Sequence, residues 1–253
     1  MIAGIILAAG KGTRLNSPAG GKDRNKVTLP FLNKPLIIYG VELMQAVCDK
    51  TVFVIGAFHE SVKQVLKNYP VIYAYQKKRL GTAHATKIGL EVLQNTTPLP
   101  DLVLVGYGDH TMFYKKETIQ KLINIHKNQQ ALVSILTFEY PKPDQIKYGR
   151  IFRNPQGQIV DIIEQKDATL EQRLIKEVNP GFYCFDFNFL KNNINKINKS
   201  PISGEYYITD MIKVAVEQNK KVVGLPVNFD EAGLGINTAE ELSESEKIYL
   251  QKR

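Results

Sequence analysis

At 253 residues, 43% of them hydrophobic and 23% charged, the chain can bury a sizeable core and reads as an ordinary soluble globular protein. Its longest apolar runs, such as residues 5–9 and 102–105, fall far short of a bilayer span, and the N-terminus lacks a signal-peptide pattern, so a cytoplasmic protein with no membrane partner is expected. The net charge of +8 lies largely in helix-like stretches such as "KKETIQKLINIHK" and "KNNINKINK", which read as solvated faces; with no RRM, KH or helix-turn-helix signature, nucleic acid is not an expected partner.

In chain order, strand-like runs at "IAGIILAA", "TVFVIGAF", "VIYAYQ", "DLVLVGYG" and "ALVSILTF" are separated by helix-like segments that begin near Pro35, His59, Gly81 and Lys115. This alternation predicts an α/β protein with a mostly parallel sheet. After about residue 145 the pattern changes. "YGRIFRNPQGQIVDIIEQ" reads as a hairpin turning across residues 154–157, followed by a short helix, a strand over 178–185 and three further helical stretches. No repeat or linker divides the chain, so one domain spanning 1–253 is expected. Cys48 and Cys184 are widely separated and outside any CxxC spacing, which points to reduced core thiols rather than a zinc site or disulfide framework.

The stretch "LAAGKGTRL" puts Gly10 and Gly12 at the carboxyl end of the first strand, with Lys11 and Arg14 beside them. Glycines let the backbone approach a phosphate, exposed N–H groups suit an anion, and the two cations match its charge. The GxGxxG fingerprint fails because Leu15 holds the last glycine position, and no GxxxxGK[ST] sequence occurs, so neither an NAD loop nor a P-loop is present. By spacing alone, a tight turn with two exposed cations remains the alternative.

"LAAGKGTRL" followed by "KVTLPFLNKPLI" resembles the signature of the sugar-1-phosphate nucleotidyltransferases, and the likeness continues through "QKKRLGTAHA", "GYGD", "YGRI", "IIEQKDAT", "VNPGFY" and "GEYYITD". In order and spacing these segments are most similar to the uridylyltransferase domain of bacterial bifunctional N-acetylglucosamine-1-phosphate uridylyltransferases. The resemblance implies a Rossmann-like nucleotide-diphospho-sugar transferase fold, a mostly parallel mixed sheet flanked by helices with a β-hairpin elaboration on the substrate side, and an active site above the carboxyl ends of the parallel strands. It implies a nucleotide-binding half over about 1–145 and a sugar-binding half with a C-terminal helix over 146–253. UTP and N-acetylglucosamine-1-phosphate would be the substrates and Mg²⁺ the cofactor.

The resemblance also implies roles. Leu7, Ala8, Ala9, Gly10, Lys11, Gly12, Thr13 and Arg14 would hold the triphosphate, with Gly108 nearby, and Arg14 and Lys26 would be the catalytic cations. Asp109 and Asn237 would hold the metal. Gln76, Gly81 and Thr82 would read the pyrimidine, and Gly149, Glu164 and Asn179 the N-acetylated sugar. The residues also carry plainer readings. Lys26 can be a surface lysine, Asp109 can cap a turn, and "NTAE" has the spacing of a helix capping box in which Asn237 bonds near Glu240. Gly149 and Asn179 suit turns, and alternation permits Glu164 to be an exposed charge. The four histidines form no metal-like spacing, which makes His110 a neighbour of Asp109 rather than a ligand.

Three departures from the family pattern stand out. Residues 15–25 form a longer connection than usual and carry Lys22, Asp23 and Arg24, while Pro180 stands where the family usually has threonine. Hexapeptide repeats are absent, so neither acetyl transfer nor the trimer associated with it is expected. Another pyrimidine nucleotide, glucose-1-phosphate or phosphocholine as acceptor, and a non-catalytic nucleotide-sugar-binding protein are the alternative functions; the sequence leaves oligomeric state open.

Overall fold

The computed structural model describes residues 1–10 and 24–251. The first strand, β1 (Ile2–Ala8), is followed by the short pair β2 (Pro30–Phe31) and β3 (Lys34–Pro35) and by α1 (Leu36–Val47). Then come β4 (Lys50–Ile55), α2 (His59–Leu66), β5 (Ile72–Tyr75), α3 (Thr82–Leu93), β6 (Leu102–Tyr107), α4 (Lys116–Asn128) and β7 (Val133–Glu139). The remainder holds β8 (Gly149–Arg153), β9 (Ile159–Ile163), β10 (Glu177–Asn179), β11 (Phe182–Asp186), α5 (Phe187–Asn193), α6 (Asp210–Glu217), β12 (Val222–Pro226), α7 (Phe229–Ala232) and α8 (Ala239–Leu250).

Among the described residues, ten strands form one sheet in the order β5-β4-β1-β6-β11-β7-β10-β8-β9, with β12 also paired to β7. The pairs among β5, β4, β1 and β6 are parallel, and β1, β4 and β6, covered on both faces, read as near-continuous apolar runs. Alternate residues of β1 point to opposite layers. Ala3 and Ile5 join α3, α5 and α6 on one face, while Ile6 and Ala8 join α1, α2 and α4 on the other. Beyond β6 the register turns antiparallel, because β11 runs back between β6 and β7.

The lysine-rich α4 buries Ile119, Leu122, Ile123 and His126 along one stripe and leaves Lys116, Lys121 and Lys127 exposed, as its helical spacing requires. The hairpin turn between β8 and β9 forms over 154–157, with Asn154 Oδ1 accepting from the backbone N–H groups of Gln156 and Gln158. The strand expected over 178–185 is two strands. Pro180 has no N–H for a ladder, and Gly181 sits at φ +85, where a Cβ would overlap the ring of Tyr107. Among the described residues, no helix is long and apolar enough to cross a membrane.

Candidate active site

The carboxyl ends of the parallel strands open into a cleft of about 300 Å³. The parallel register brings them level: Gly108 N donates to Leu7 O at 3.0 Å, so Asp109, two residues past β6, comes next to the end of β1. Leu7, Ala8, Ala9 and Gly10 form one wall, and Gln76, Gly81 and Thr82 form the opposite one. Gly108 itself is absent from the lining and packs behind it, near Ile6 and Val27. Lys11, Gly12, Thr13 and Arg14 lie outside the described residues, as does most of the longer connection.

Gly81 has φ +111, and a Cβ there would collide with the Tyr206 backbone, so only glycine fits. The turn is strapped to the distant segment 205–208: Tyr206 N donates to Leu80 O at 2.8 Å, Ala83 N to Tyr206 O at 2.9 Å, and Ile208 N to Thr82 Oγ1 at 2.9 Å. Gln76 is buried, and its Nε2 lies 3.2 Å from Gly81 O and 2.9 Å from His84 Nδ1. With the amide as donor in both contacts, the His84 proton sits on Nε2 and the amide plane of Gln76 is held.

Three side chains from distant parts of the chain converge here, and two of them, Lys26 and Asp109, line the cleft. Lys26 Nζ forms an ion pair with Asp109 Oδ2, donates to Asn237 Oδ1 at 3.0 Å and donates to Ile236 O at 3.1 Å. A surface-lysine reading of Lys26 is excluded, because its side chain is only 14% exposed. The helix cap falls one residue later than Asn237. Thr238 is the N-cap of α8, its hydroxyl accepting from Glu241 N at 3.1 Å while Glu241 reaches back to Thr238 N. The Asn237 backbone N–H also donates to Glu241 Oε2, at 2.6 Å, while its side chain takes no part in the cap and turns its amide oxygen to the lysine.

The three expected sugar residues also come together. Gly149 pairs with Asn179 across β8 and β10, and a Cβ on Gly149 would meet Ile162 and approach the Glu164 carboxyl. Asn179 Nδ2 donates to Tyr183 Oη at 2.6 Å, and its Oδ1 accepts from Gly181 N at 3.0 Å. The hydroxyls of Tyr183 and Tyr107 lie 3.3 Å apart, and Tyr107 lines the cleft, which links the two groups of residues. Pro180, beside Asn179, accepts at its carbonyl from the Tyr114 hydroxyl at 3.0 Å.

Residues 3–230 match the family described as nucleotidyl transferase. The chain belongs to that family. It is 37% identical over 245 residues to the bifunctional protein GlmU of Caldicellulosiruptor saccharolyticus, covering 96% of this chain and 50% of that one. It is also 37% identical over 251 residues to the bifunctional protein GlmU of Bacillus licheniformis, covering 98% and 52%. The chain thus spans about half the length of the curated relatives it matches. A solved structure of UDP-glucose pyrophosphorylase complexed with UDP-glucose superposes with a TM-score of 0.77 at 21% identity over all of both chains. The fold is that of the nucleotide-diphospho-sugar transferases.

Several residues of this nucleotidyl transferase carry no local sequence signal of their place in the site. Asn25 is fully buried: its Nδ2 donates to Ala8 O and Ala57 O, each at 2.9 Å, and its Oδ1 accepts from Val27 N at 3.2 Å, so it pins the backbone that delivers Lys26. Arg79 and Glu205 add a cation and an anion to the rim of the cleft. Thr209 donates to Glu164 Oε1 at 3.0 Å.

Glu164 is no exposed strand charge. It is partly buried just past β9, and desolvation, reinforced by Asp210 and Asp167, raises its carboxyl from 4.5 to about 7. The native state then binds more protons than the unfolded chain between about pH 4.5 and 7, so this group's contribution makes stability fall as pH rises through that window. Glu164→Gln removes the penalty and should raise stability at pH 8 by roughly 2 kcal/mol after allowance for screening. Thermal melts at pH 5 and pH 8 check this: the gain should be present at pH 8 and absent at pH 5, and an equal shift at both would refute the buried-charge account.

Proposed function

We propose that the chain is a sugar-1-phosphate uridylyltransferase that joins UTP to N-acetylglucosamine-1-phosphate, giving UDP-N-acetylglucosamine and pyrophosphate. The observation that carries this reading is the convergence of Lys26, Asp109 and Asn237 beside a cleft lined by the base-side residues, whose Tyr107 leads through Tyr183 to the sugar-side Asn179. An oxygen of the sugar phosphate attacks the α-phosphorus of UTP; the bond from that phosphorus to the bridging oxygen of the β-phosphate breaks, and pyrophosphate leaves. The attacking phosphate is already ionised, so the protein needs no nucleophile. Its tasks are to align two anions and to offset the charge gathering on the phosphorus oxygens.

Gln76, Gly81 and Thr82 read the uracil edge, with the Gln76 amide held by its Nε2 contacts. Lys11, Gly12, Thr13 and Arg14 grip the triphosphate with the walls formed by Leu7 to Gly10. Gly149 keeps the sugar pocket open beside Glu164, whose carboxylate takes sugar hydroxyls, while the Asn179 amide faces the acetamido group or a neighbouring hydroxyl. Lys26 carries its ammonium to the reacting phosphate.

Asp109 and Asn237 fit Mg²⁺: one carboxylate and one amide oxygen suit a hard cation that keeps several waters, and a cationic ammonium already rests between them. When bound there, Mg²⁺ would supply charge neutralisation for the triphosphate and the departing pyrophosphate. Residues 1–253 act on this reading as one unit, with about 1–145 holding the nucleotide and 146–253 the sugar; the sheet running through both supports it. The use of UTP implies a cytoplasmic site of action.

The test is pyrophosphate release with Mg²⁺ across the four nucleoside triphosphates, several sugar-1-phosphates and phosphocholine. UTP with N-acetylglucosamine-1-phosphate should give the highest kcat/KM. A different best pair would replace the substrate assignment, and no release with any pair would favour a nucleotide-sugar-binding protein.

A further inference from the structure

We propose that His110 and Tyr148 form a positioning brace that holds Asn237 opposite Asp109, so that the cation pair is assembled by residues that touch neither substrate nor metal. The inference rests on the reading of Asp109 and Asn237 given above and extends it to side chains with no assigned role.

Asp109 and Asn237 sit on separate loops, one after β6 and one between α7 and α8. Their direct backbone link, Ile236 N to Asp109 O, is long at 3.5 Å. The stronger ties come from the side. Tyr148 Oη accepts from Gly235 N at 2.6 Å, two residues before Asn237. His110, the residue after Asp109, reaches Ala232 O with Nε2 at 2.7 Å. A carbonyl only accepts, so this contact assigns the proton to Nε2. The imidazole and the phenol stack with centroids 5.4 Å apart and planes within 7°, and His110 is 2% exposed. The Asn237 loop is therefore gripped at Ala232 and at Gly235 by two rings that lie on each other.

The brace has its own footing. Arg150 is fully buried, and its partners are backbone carbonyls: Nη1 donates to Tyr148 O, Nη2 to Pro143 O and to Ile146 O at 3.2 Å, and Nε to Arg173 O at 3.1 Å. Those bonds fix the segment that presents Tyr148. Such a buried set holds one geometry, since displacing any member leaves polar groups unpaired away from water. Partners that orient cation ligands in this way commonly alter metal affinity by about 10- to 100-fold when removed.

Three substitutions separate positioning from general stability. Tyr148→Phe keeps the ring stack and removes the acceptor for Gly235 N; His110→Phe keeps an aromatic ring and removes the donor to Ala232 O; His110→Gln keeps an N–H donor of similar reach. Mn²⁺ binding, followed by electron paramagnetic resonance with the metal alone and with UTP, is measured beside thermal melts and steady-state kinetics. The expected result is Mn²⁺ affinity about ten-fold weaker in Tyr148→Phe and in His110→Phe, with partial recovery in His110→Gln. In Tyr148→Phe, the folded variant by design, kcat should fall in parallel while KM for the nucleotide stays within about two-fold. Wild-type Mn²⁺ affinity in Tyr148→Phe overturns the brace. Asp109→Asn is the control: if it binds Mn²⁺ as the wild type does under both conditions, the cation pair itself is wrong, and the inference falls with it.

Discussion

Asp109→Ala is expected to lower kcat by about 100-fold or more while the protein melts close to wild type. Asp109 brings a carboxylate against Lys26, which also reaches Asn237, so on the proposed reading its loss removes the anchor for a divalent cation where charge develops in the reaction. The fold should tolerate the change. The side chain lines the cleft and is 18% exposed, so water can replace it around the lysine. Uniform binding of substrates does not depend on it, so KM should move less than kcat. Steady-state kinetics at saturating Mg²⁺ decide the point: near-wild-type turnover would remove Asp109 from the cation site.

Lys26→Ala should act in two opposite directions. If the ammonium stabilises charge on the reacting phosphate, kcat falls by roughly two orders of magnitude or more, with a smaller change in KM. The same ammonium occupies the two oxygens that a divalent cation would take, bonding to Asp109 and, at 3.0 Å, to Asn237. Its removal should therefore strengthen Mn²⁺ binding to the protein without substrates, even as turnover collapses. A lysine that merely stabilised the loop would weaken both. Parallel measurement of turnover, Mn²⁺ affinity and melting temperature separates the two accounts, and unchanged turnover would sink the catalytic role.

Much of the framework was legible in the linear chain. The runs that became β1, β4 and β6 are apolar on both faces because both faces are covered, and this coverage appears directly as near-continuous apolar residues. The 154–157 turn announced itself through Asn154 and Gly157, since few residues tolerate its backbone. The motif segments pointed to the family, and residues 3–230 match it. The antiparallel insertion of β11 between β6 and β7 was not legible, because strand order depends on which surfaces meet, and alternation within one strand says nothing of its neighbour.

The capping box shows the limit at single-residue scale. "NTAEE" contains Asn-x-x-Glu at 237–240 and Thr-x-x-Glu at 238–241, and both satisfy the spacing. The second forms, and the contact that goes with it is 211 residues away in sequence, from Lys26 to Asn237. Asn25, which holds Lys26 in place, gave no warning either, since its partners are backbone carbonyls at the end of β1 (Ala8) and just past β4 (Ala57). His110 looked like a bystander because its significance lies in Tyr148 and Ala232.

Local sequence, then, was sufficient for the helices, most strands, the tight turns and the chemical inventory of cations, two carboxylates and amides, because each of these depends on neighbours within a few residues. The meeting of Lys26, Asp109 and Asn237, the raised carboxyl of Glu164 and the stacking of His110 on Tyr148 emerged from packing. They arise where loops from separate strands are brought to one edge of the sheet, and burial and long-range contact, which set both charge state and geometry, have no counterpart in the spacing of residues along the chain.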